Sequence, residues 1–127
     1  MLSYMAYHND FGKWGEAIAA EYLESKGYAI IARDWRLGHR DLDIIASHDG
    51  TLVIVEVKAR SSSFLVSPEE SVDFRKMRSL CIAANAYVKM NRINAPIRFD
   101  IIAITGNADN YSINHIEDAF VPPVTYR

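Results

Sequence analysis

The stretch Asp41-Leu42-Asp43-Ile44-Ile45-Ala46-Ser47-His48-Asp49-Gly50-Thr51-Leu52-Val53-Ile54-Val55-Glu56-Val57-Lys58 decides how this chain folds. Asp49-Gly50 separates two apolar, β-branched runs. Both central residues of a type I′ turn have positive φ, which Asp tolerates and Gly adopts freely, so the dipeptide predicts a two-residue hairpin. His48 then pairs with Thr51, Asp43 faces Glu56, and Asp41 faces Lys58. Strand side chains alternate, so these four charged groups share one face at the open end of the hairpin. Val53, Val55 and Val57 take one face of the second arm, and Leu52 and Ile54 the other. That pattern predicts a central strand covered on both sides.

Working outward, Tyr28 to Trp35 reads as a strand and Gly38-His39 as a turn, followed by strands over Asp41–Ser47 and Thr51–Lys58. Ahead of them Phe11, Trp14, Ile18 and Tyr22 form a helical stripe, widened by Ala19, Ala20 and Leu23, over about Asp10 to Lys26. Residues 1–8 are expected to precede this helix as a short, unstructured start. Asn9 or Asp10 is the expected N-cap, and Gly27 the stop. Beyond the hairpin, Ser67-Pro68-Glu69-Glu70 carries helix-start signals. That helix is expected to run to about Met90, with Met77, Leu80, Cys81, Ala84 and Val88 on its core face. Pro96 ends the connection, Ile97 to Thr105 makes a fourth strand, and Tyr111 to Ile116 a weaker fifth before an irregular tail. The expected fold class is α/β, in the order α-β-β-β-α-β, with a mixed central sheet flanked by helices. The helix between strands three and four requires a parallel pair there. A single domain over residues 1–127, with a core of about 10–117, accounts for the pattern.

At 127 residues the chain can bury one sizeable core. A formal net charge of −2 means that any polyanionic partner must meet a local basic patch. The single cysteine, Cys81, excludes an intrachain disulfide framework. With no long apolar run and no signal-peptide pattern over Met1–Asn9, the expected setting is cytoplasmic, without a membrane partner.

The charged end of the hairpin suggests chemistry. Mg2+ is satisfied by one or two carboxylates plus substrate phosphate, and Asp43 opposite Glu56 would supply the pair. Lys58 lies two residues on, on the same face, where it can orient water or meet charge in a transition state. The plainer alternative is a solvated Glu-x-Lys with an Asp41–Lys58 cross-strand pair. Glu16 points along a small apolar helix face, so it needs either a partner in the site or a local salt bridge. Gly12 and Gly15 beside it would let the helix approach a neighbouring backbone or a substrate closely.

These residues together resemble the YraN-like family of small, uncharacterised bacterial proteins. The resemblance rests on Gly12-Lys13-Trp14-Gly15-Glu16-Ala17, Arg33-Asp34-Trp35-Arg36, Asp41 to Ala46, Val55-Glu56-Val57-Lys58-Ala59-Arg60, Val72 with Lys76, and Arg98-Phe99-Asp100-Ile101-Ile102. That family is similar to archaeal Holliday-junction resolvases and to the restriction-endonuclease-like fold, whose PD-(D/E)xK motif is an Asp followed by Glu-x-Lys. The resemblance implies a metal-dependent endonuclease for structured or branched DNA, used in repair or recombination. Asp43, Glu56 and Lys58 would be its motif residues, Glu16 its helical acid, Mg2+ or Mn2+ its cofactor, and a homodimer its assembly. Asp41 stands where the family usually carries Glu, and Asp34 where Asn is common. The alternative is a non-catalytic nucleic-acid-binding module of the same fold, or a subunit of a repair complex.

For phosphate contacts the candidates are Arg36, Arg40, Arg60 and Lys76, whereas Arg78 and Lys89 read as a solvated helix face. His39 is a candidate substrate contact. Asp100, in an apolar strand, either buttresses the site or caps a buried network. The four histidines lack metal-ligand spacing, which argues against zinc.

Overall fold

The structure, a computed structural model, describes residues 4–61 and 73–121, with side chains from residue 10 onward. Two helices and five strands follow in the order α1 (Tyr4–Ser25), β1 (Ala29–Leu37), β2 (Arg40–His48), β3 (Thr51–Arg60), α2 (Phe74–Met90), β4 (Ile97–Asn107) and β5 (Asn110–Ile116). The strands form one mixed sheet in the order β1-β2-β3-β4-β5. Among the described residues its one parallel pair is β3 with β4, where the connecting helix required one, and the other neighbours are antiparallel.

The Asp49-Gly50 turn has positive φ at both residues, 48° and 79°, and His48 pairs with Thr51 as the hairpin reading required. Alternation along β3 then sorts the core into two layers. Val53 and Val55 pack with Ala19, Ala20 and Leu23 of α1, while Leu52 and Ile54 pack with Leu80, Ala84 and Tyr87 of α2. The result is an α/β/α sandwich. Burying side chains of this size contributes roughly 1.5–3 kcal/mol each.

One helix boundary differs from expectation. α1 begins at Tyr4, so residues 4–8 are helical and neither Asn9 nor Asp10 is an N-cap. Helix propagation outweighs the local preference of an Asn-Asp pair for capping. The other end follows the glycine: Gly27 has φ of 90°, Tyr28 N–H donates to the Leu23 carbonyl at 3.0 Å, and Gly27 N–H to that of Glu24 at 3.1 Å. This is a Schellman closure, with Tyr28 and Leu23 packed in the same core layer. The expected start at Ser67–Glu70 lies outside the described residues. Described α2 begins at Phe74, where the Asp73 carboxylate caps it by accepting the Lys76 N–H at 2.9 Å. Its core face includes Ala83 and Tyr87, which the helical stripe omitted.

Of the two glycines in α1, one makes a close approach. A Cβ on Gly15 would lie 2.7 Å from the Cβ of Ala59 on β3, whereas one on Gly12 would have nothing within 4 Å. Ala59 has no flexible side chain to yield, so Gly15→Ala must lift α1 off the sheet. Such overpacking costs about 1–3 kcal/mol and outweighs the gain of about 1 kcal/mol in helix propensity. Gly12→Ala keeps that gain. Urea titration should therefore show Gly15→Ala destabilised and Gly12→Ala stabilised by up to about 1 kcal/mol. Equal responses would show that the helix is not held against Ala59.

Candidate functional site

The β2–β3 ladder ends at Ile44–Val55, one pair before the expected Asp43–Glu56 and well before Asp41–Lys58. Those two cross-strand pairs do not form. Instead Asp43 uses its side chain: Oδ2 accepts the Val57 N–H at 2.9 Å, in place of a strand carbonyl. The strands part here because β1 and β2 change face. Asp34, between the ladder pairs Arg33–Ile44 and Trp35–Leu42, has φ of 51°. Leu42 packs in the α2 layer although Ile44, two residues on, packs in the α1 layer. A bulge-like break of this kind re-aims side chains, and here the re-aimed residue is Asp43.

The splayed end forms a cavity of about 260 Å³ lined by Glu16, Asp43, Lys58, Gly12 and Phe11 together with Val57 and Ala59. The Gly15 contact with Ala59 brings Glu16 to this wall. Glu56 lies alongside and is only 4 % exposed. Its Oε2 is 3.0 Å from the Lys58 ammonium and 3.5 Å from that of Lys76, which reaches over from α2. Its Oε1 is buried and has no hydrogen-bond partner among the described residues.

The acids press on one another. Burial is the main cause that pushes the Asp43 carboxyl up to about 8, followed by the charge of Glu56, with Glu16 adding to it and the Val57 N–H opposing. Glu16 is also raised, by burial and then by Asp34, Asp41 and Glu56, against Arg33. Burial pulls the Lys76 ammonium down, but Glu56, Asp41 and Asp43 outweigh it and hold it above its ordinary value. On the Asp43 side Lys58 lines the same cavity as Asp43 and Glu16, one cation to two acids, a deficit of positive charge among the described residues.

That deficit is the test of whether a cation fits. Among the described residues no three His, Cys, Asp or Glu side chains come together as a metal cage. Two carboxylates plus substrate phosphate are nevertheless enough for Mg2+ or Mn2+. Asp43 and the unpartnered Glu56 Oε1 form a hard-oxygen pair that a divalent ion would complete.

Apart from Asp41, whose charge reaches Glu16 and Lys76, the remaining candidates lie elsewhere. Asp41 is in the ladder opposite Arg36, and Arg36 is exposed with Asp34 at 3.6 Å. Arg60 ends β3 opposite Thr105. Asp100 caps a buried network and does not buttress the acids. It accepts two hydrogen bonds from Arg98, at 2.9 and 2.8 Å, and one from the Asp118 N–H at 3.0 Å, and it lies 2.8 Å from His115 Nε2. His39 and Arg40, from the β1–β2 turn, face Arg75, Lys76 and Arg78 across a second cavity of about 370 Å³. Arg78, expected on a solvated helix face, lines this cavity with Arg75, and both sit beside Lys76 on the first turns of α2. Only the fold brings the β1–β2 turn against that helix.

The comparisons with known proteins agree with this core. Residues 15–104, from the Gly15 contact to the end of the parallel pair, match the model of the uncharacterised protein family UPF0102. A UPF0102 protein of Bacteroides thetaiotaomicron is 50 % identical over 120 residues, covering 94 % of this chain and 99 % of its own length. UPF0102 proteins of Porphyromonas gingivalis and Flavobacterium psychrophilum are 48 % and 46 % identical, each over 91 % of this chain and over 87 % and 98 % of their own lengths. With the family model covering most of the sheet and these relatives aligned almost end to end, the chain belongs to the UPF0102 family, the YraN-like proteins.

Proposed function

We propose that this protein is a metal-dependent endonuclease of restriction-endonuclease-like architecture that hydrolyses phosphodiester bonds in structured DNA. The observation that carries the reading is the convergence of Asp43, Glu56, Lys58 and Glu16 at one splayed strand end, with a buried carboxylate oxygen that has no partner among the described residues.

Asp43 and Glu56 would hold Mg2+ or Mn2+, with the Val57 carbonyl as a further oxygen. The bound ion would polarise the phosphodiester and lower the pKa of a water ligand. Asp43 is oriented for this by the Val57 N–H, which fixes one carboxylate oxygen and leaves the other toward Glu56. Lys58 is tethered at 3.0 Å to Glu56 and lines the cavity, so its ammonium is placed to donate to non-bridging phosphate oxygens as charge builds on them. Glu16 faces the same space from α1 and would accept a hydrogen bond from the attacking water or contact a second ion. Among the described residues no helix is long and apolar enough to cross a membrane.

A second reading, a binding module that grips nucleic acid without cutting it, is favoured by one observation. Glu56 Oε2 already has two ammonium partners, so the site is partly charge-balanced without an ion. A panel of branched, single-stranded and duplex DNAs titrated with Mg2+ and Mn2+ separates the two. Nicked products that vanish with EDTA and fall at least about 100-fold in Lys58→Met are expected, from the loss of one transition-state donor. Salt-sensitive binding with no product on any substrate would select the binding module. Full cleavage by Lys58→Met would remove this site from the mechanism.

A further inference from the structure

Two buried side-chain polar atoms lack partners among the described residues: Glu56 Oε1 at the acidic cavity and Arg40 Nε at the basic one. The first is an acceptor suited to a cation. The second is a donor suited to an anion. Lys76 joins the two sites, because it lines the basic cavity and also reaches Glu56 at 3.5 Å.

We propose that the cavity between the β1–β2 turn and the first turns of α2 is a phosphate subsite, which holds a non-scissile phosphodiester of the bound strand and needs no metal. Arg40, Arg75, Lys76 and Arg78 bring four cationic side chains to a space of about 370 Å³, with His39 at its rim. The chain as a whole carries net charge −2, so this clustering is local and not a consequence of general basicity. Among the described residues Asp73 is the one acid on the wall, and its carboxylate is committed to the Lys76 N–H as the helix cap. The anion is therefore met by side chains and not by free helix amides. Guanidinium groups suit it because they present planar pairs of donors to phosphate oxygens. With Lys76 on the basic wall and 3.5 Å from Glu56, a strand whose scissile phosphate lies at Asp43 and Glu56 continues past Glu56 to the basic cavity. Gripping a neighbouring phosphate fixes the strand's register without reading its sequence.

The subsite rests on the nucleic-acid reading above but not on cleavage, and the test omits metal for that reason. A fluorescein-labelled single-stranded DNA is titrated by anisotropy in EDTA at several salt concentrations. The proteins compared are wild type, Arg75→Ala/Arg78→Ala, and a control with the same charge removed elsewhere, Lys89→Ala/Arg92→Ala, each checked for native circular dichroism. The subsite pair should weaken binding by about tenfold or more and flatten the log–log salt slope by about 1.4, whereas the control should change affinity about twofold or less. Equal losses in both pairs would reveal a diffuse charge effect and overturn the subsite. So would unchanged binding in the Arg75→Ala/Arg78→Ala protein, or no binding by wild type without metal. Failure to find a cleaved substrate would overturn the nuclease reading and leave the subsite standing.

Discussion

Asp43→Asn is expected to raise the stability of the metal-free protein at neutral pH while abolishing both metal-induced stabilisation and DNA cleavage. The physical reason lies first in the burial of the Asp43 carboxyl and then in the charge of Glu56 beside it. An unfolded Asp43 titrates near 3.8, and the folded one near 8. An acid whose folded pKa lies above its unfolded value supports folding only in its neutral form. That support is complete below about 3.8 and is lost as pH rises through about 8. At pH 7 the folded chain must hold a proton that the unfolded chain has released, at a cost on the order of 2–4 kcal/mol. Asn is neutral in both states. Its Oδ1 can keep the Val57 N–H, and its Nδ2 can donate to the orphaned Glu56 Oε1. In EDTA at pH 7.5 the substituted protein should melt several degrees above wild type, and the difference should close toward pH 4. Mg2+ should raise the wild-type Tm and leave that of Asp43→Asn unmoved. A substituted protein no more stable than wild type in EDTA would show that the carboxyls are not in conflict. Retained Mg2+-dependent cleavage would remove Asp43 from the metal site.

The same residue shows which parts of this protein are legible in the sequence. The hairpin follows from Asp49-Gly50 because turn chemistry is local, and its register carries Glu56 and Lys58 to the open end as expected. The point where the ladder stops is not local. It depends on Asp34, whose left-handed backbone sits on the neighbouring strand. Asp and Asn both tolerate that conformation, so exchanging one for the other against the usual family pattern conserves the break without advertising it. The expected pairing of Asp41 with Lys58 fails for this reason, and Lys58 turns to Glu56 instead. Arg75 and Arg78 were hidden differently. On a helical wheel they are polar residues on an outer face. Only the packed position of the β1–β2 turn converts that face into the wall of a cavity. Gly15 was readable as a site of close approach, but its partner, Ala59, required the sheet.

Asp100→Ala should cost about 3–5 kcal/mol, the largest stability loss expected of any single side chain outside the apolar core. Asp100 is 1 % exposed on a central strand. Its two oxygens gather Arg98 from its own strand, His115 from β5 and the Asp118 N–H that follows β5. Arg98 in turn donates to the Tyr28 hydroxyl at 2.7 Å, and the Tyr22 hydroxyl lies 3.1 Å from His115 Nδ1, so the end of α1 joins the same network. Truncation leaves a partly buried guanidinium that keeps, among the described residues, Tyr28 and the exposed Glu117, and leaves the Asp118 N–H without its acceptor. Breaking a buried pair from one side costs more than the pair itself contributes, because the remaining charge stays desolvated. Burial raises the Asp100 carboxyl, but hydrogen bonds from His115, Arg98 and the Asp118 N–H outweigh it and hold the group below its ordinary 3.8. An acid with a depressed folded pKa stabilises the fold above its unfolded value and loses that contribution as pH falls through the folded one. Wild type should therefore lose stability faster than Asp100→Ala on acidification below about pH 4, and the gap between them should narrow there. In a cycle with Arg98→Met, the Asp100→Ala change should cost markedly less than it does alone, by at least about 1 kcal/mol. Additive losses in that cycle, or a single-variant cost under about 1 kcal/mol in urea at pH 7, would show that Asp100 is not the keystone of this end of the sheet. Metal-dependent cleavage at a temperature where both proteins are folded should be unaffected, since none of these partners touches Asp43 or Glu56.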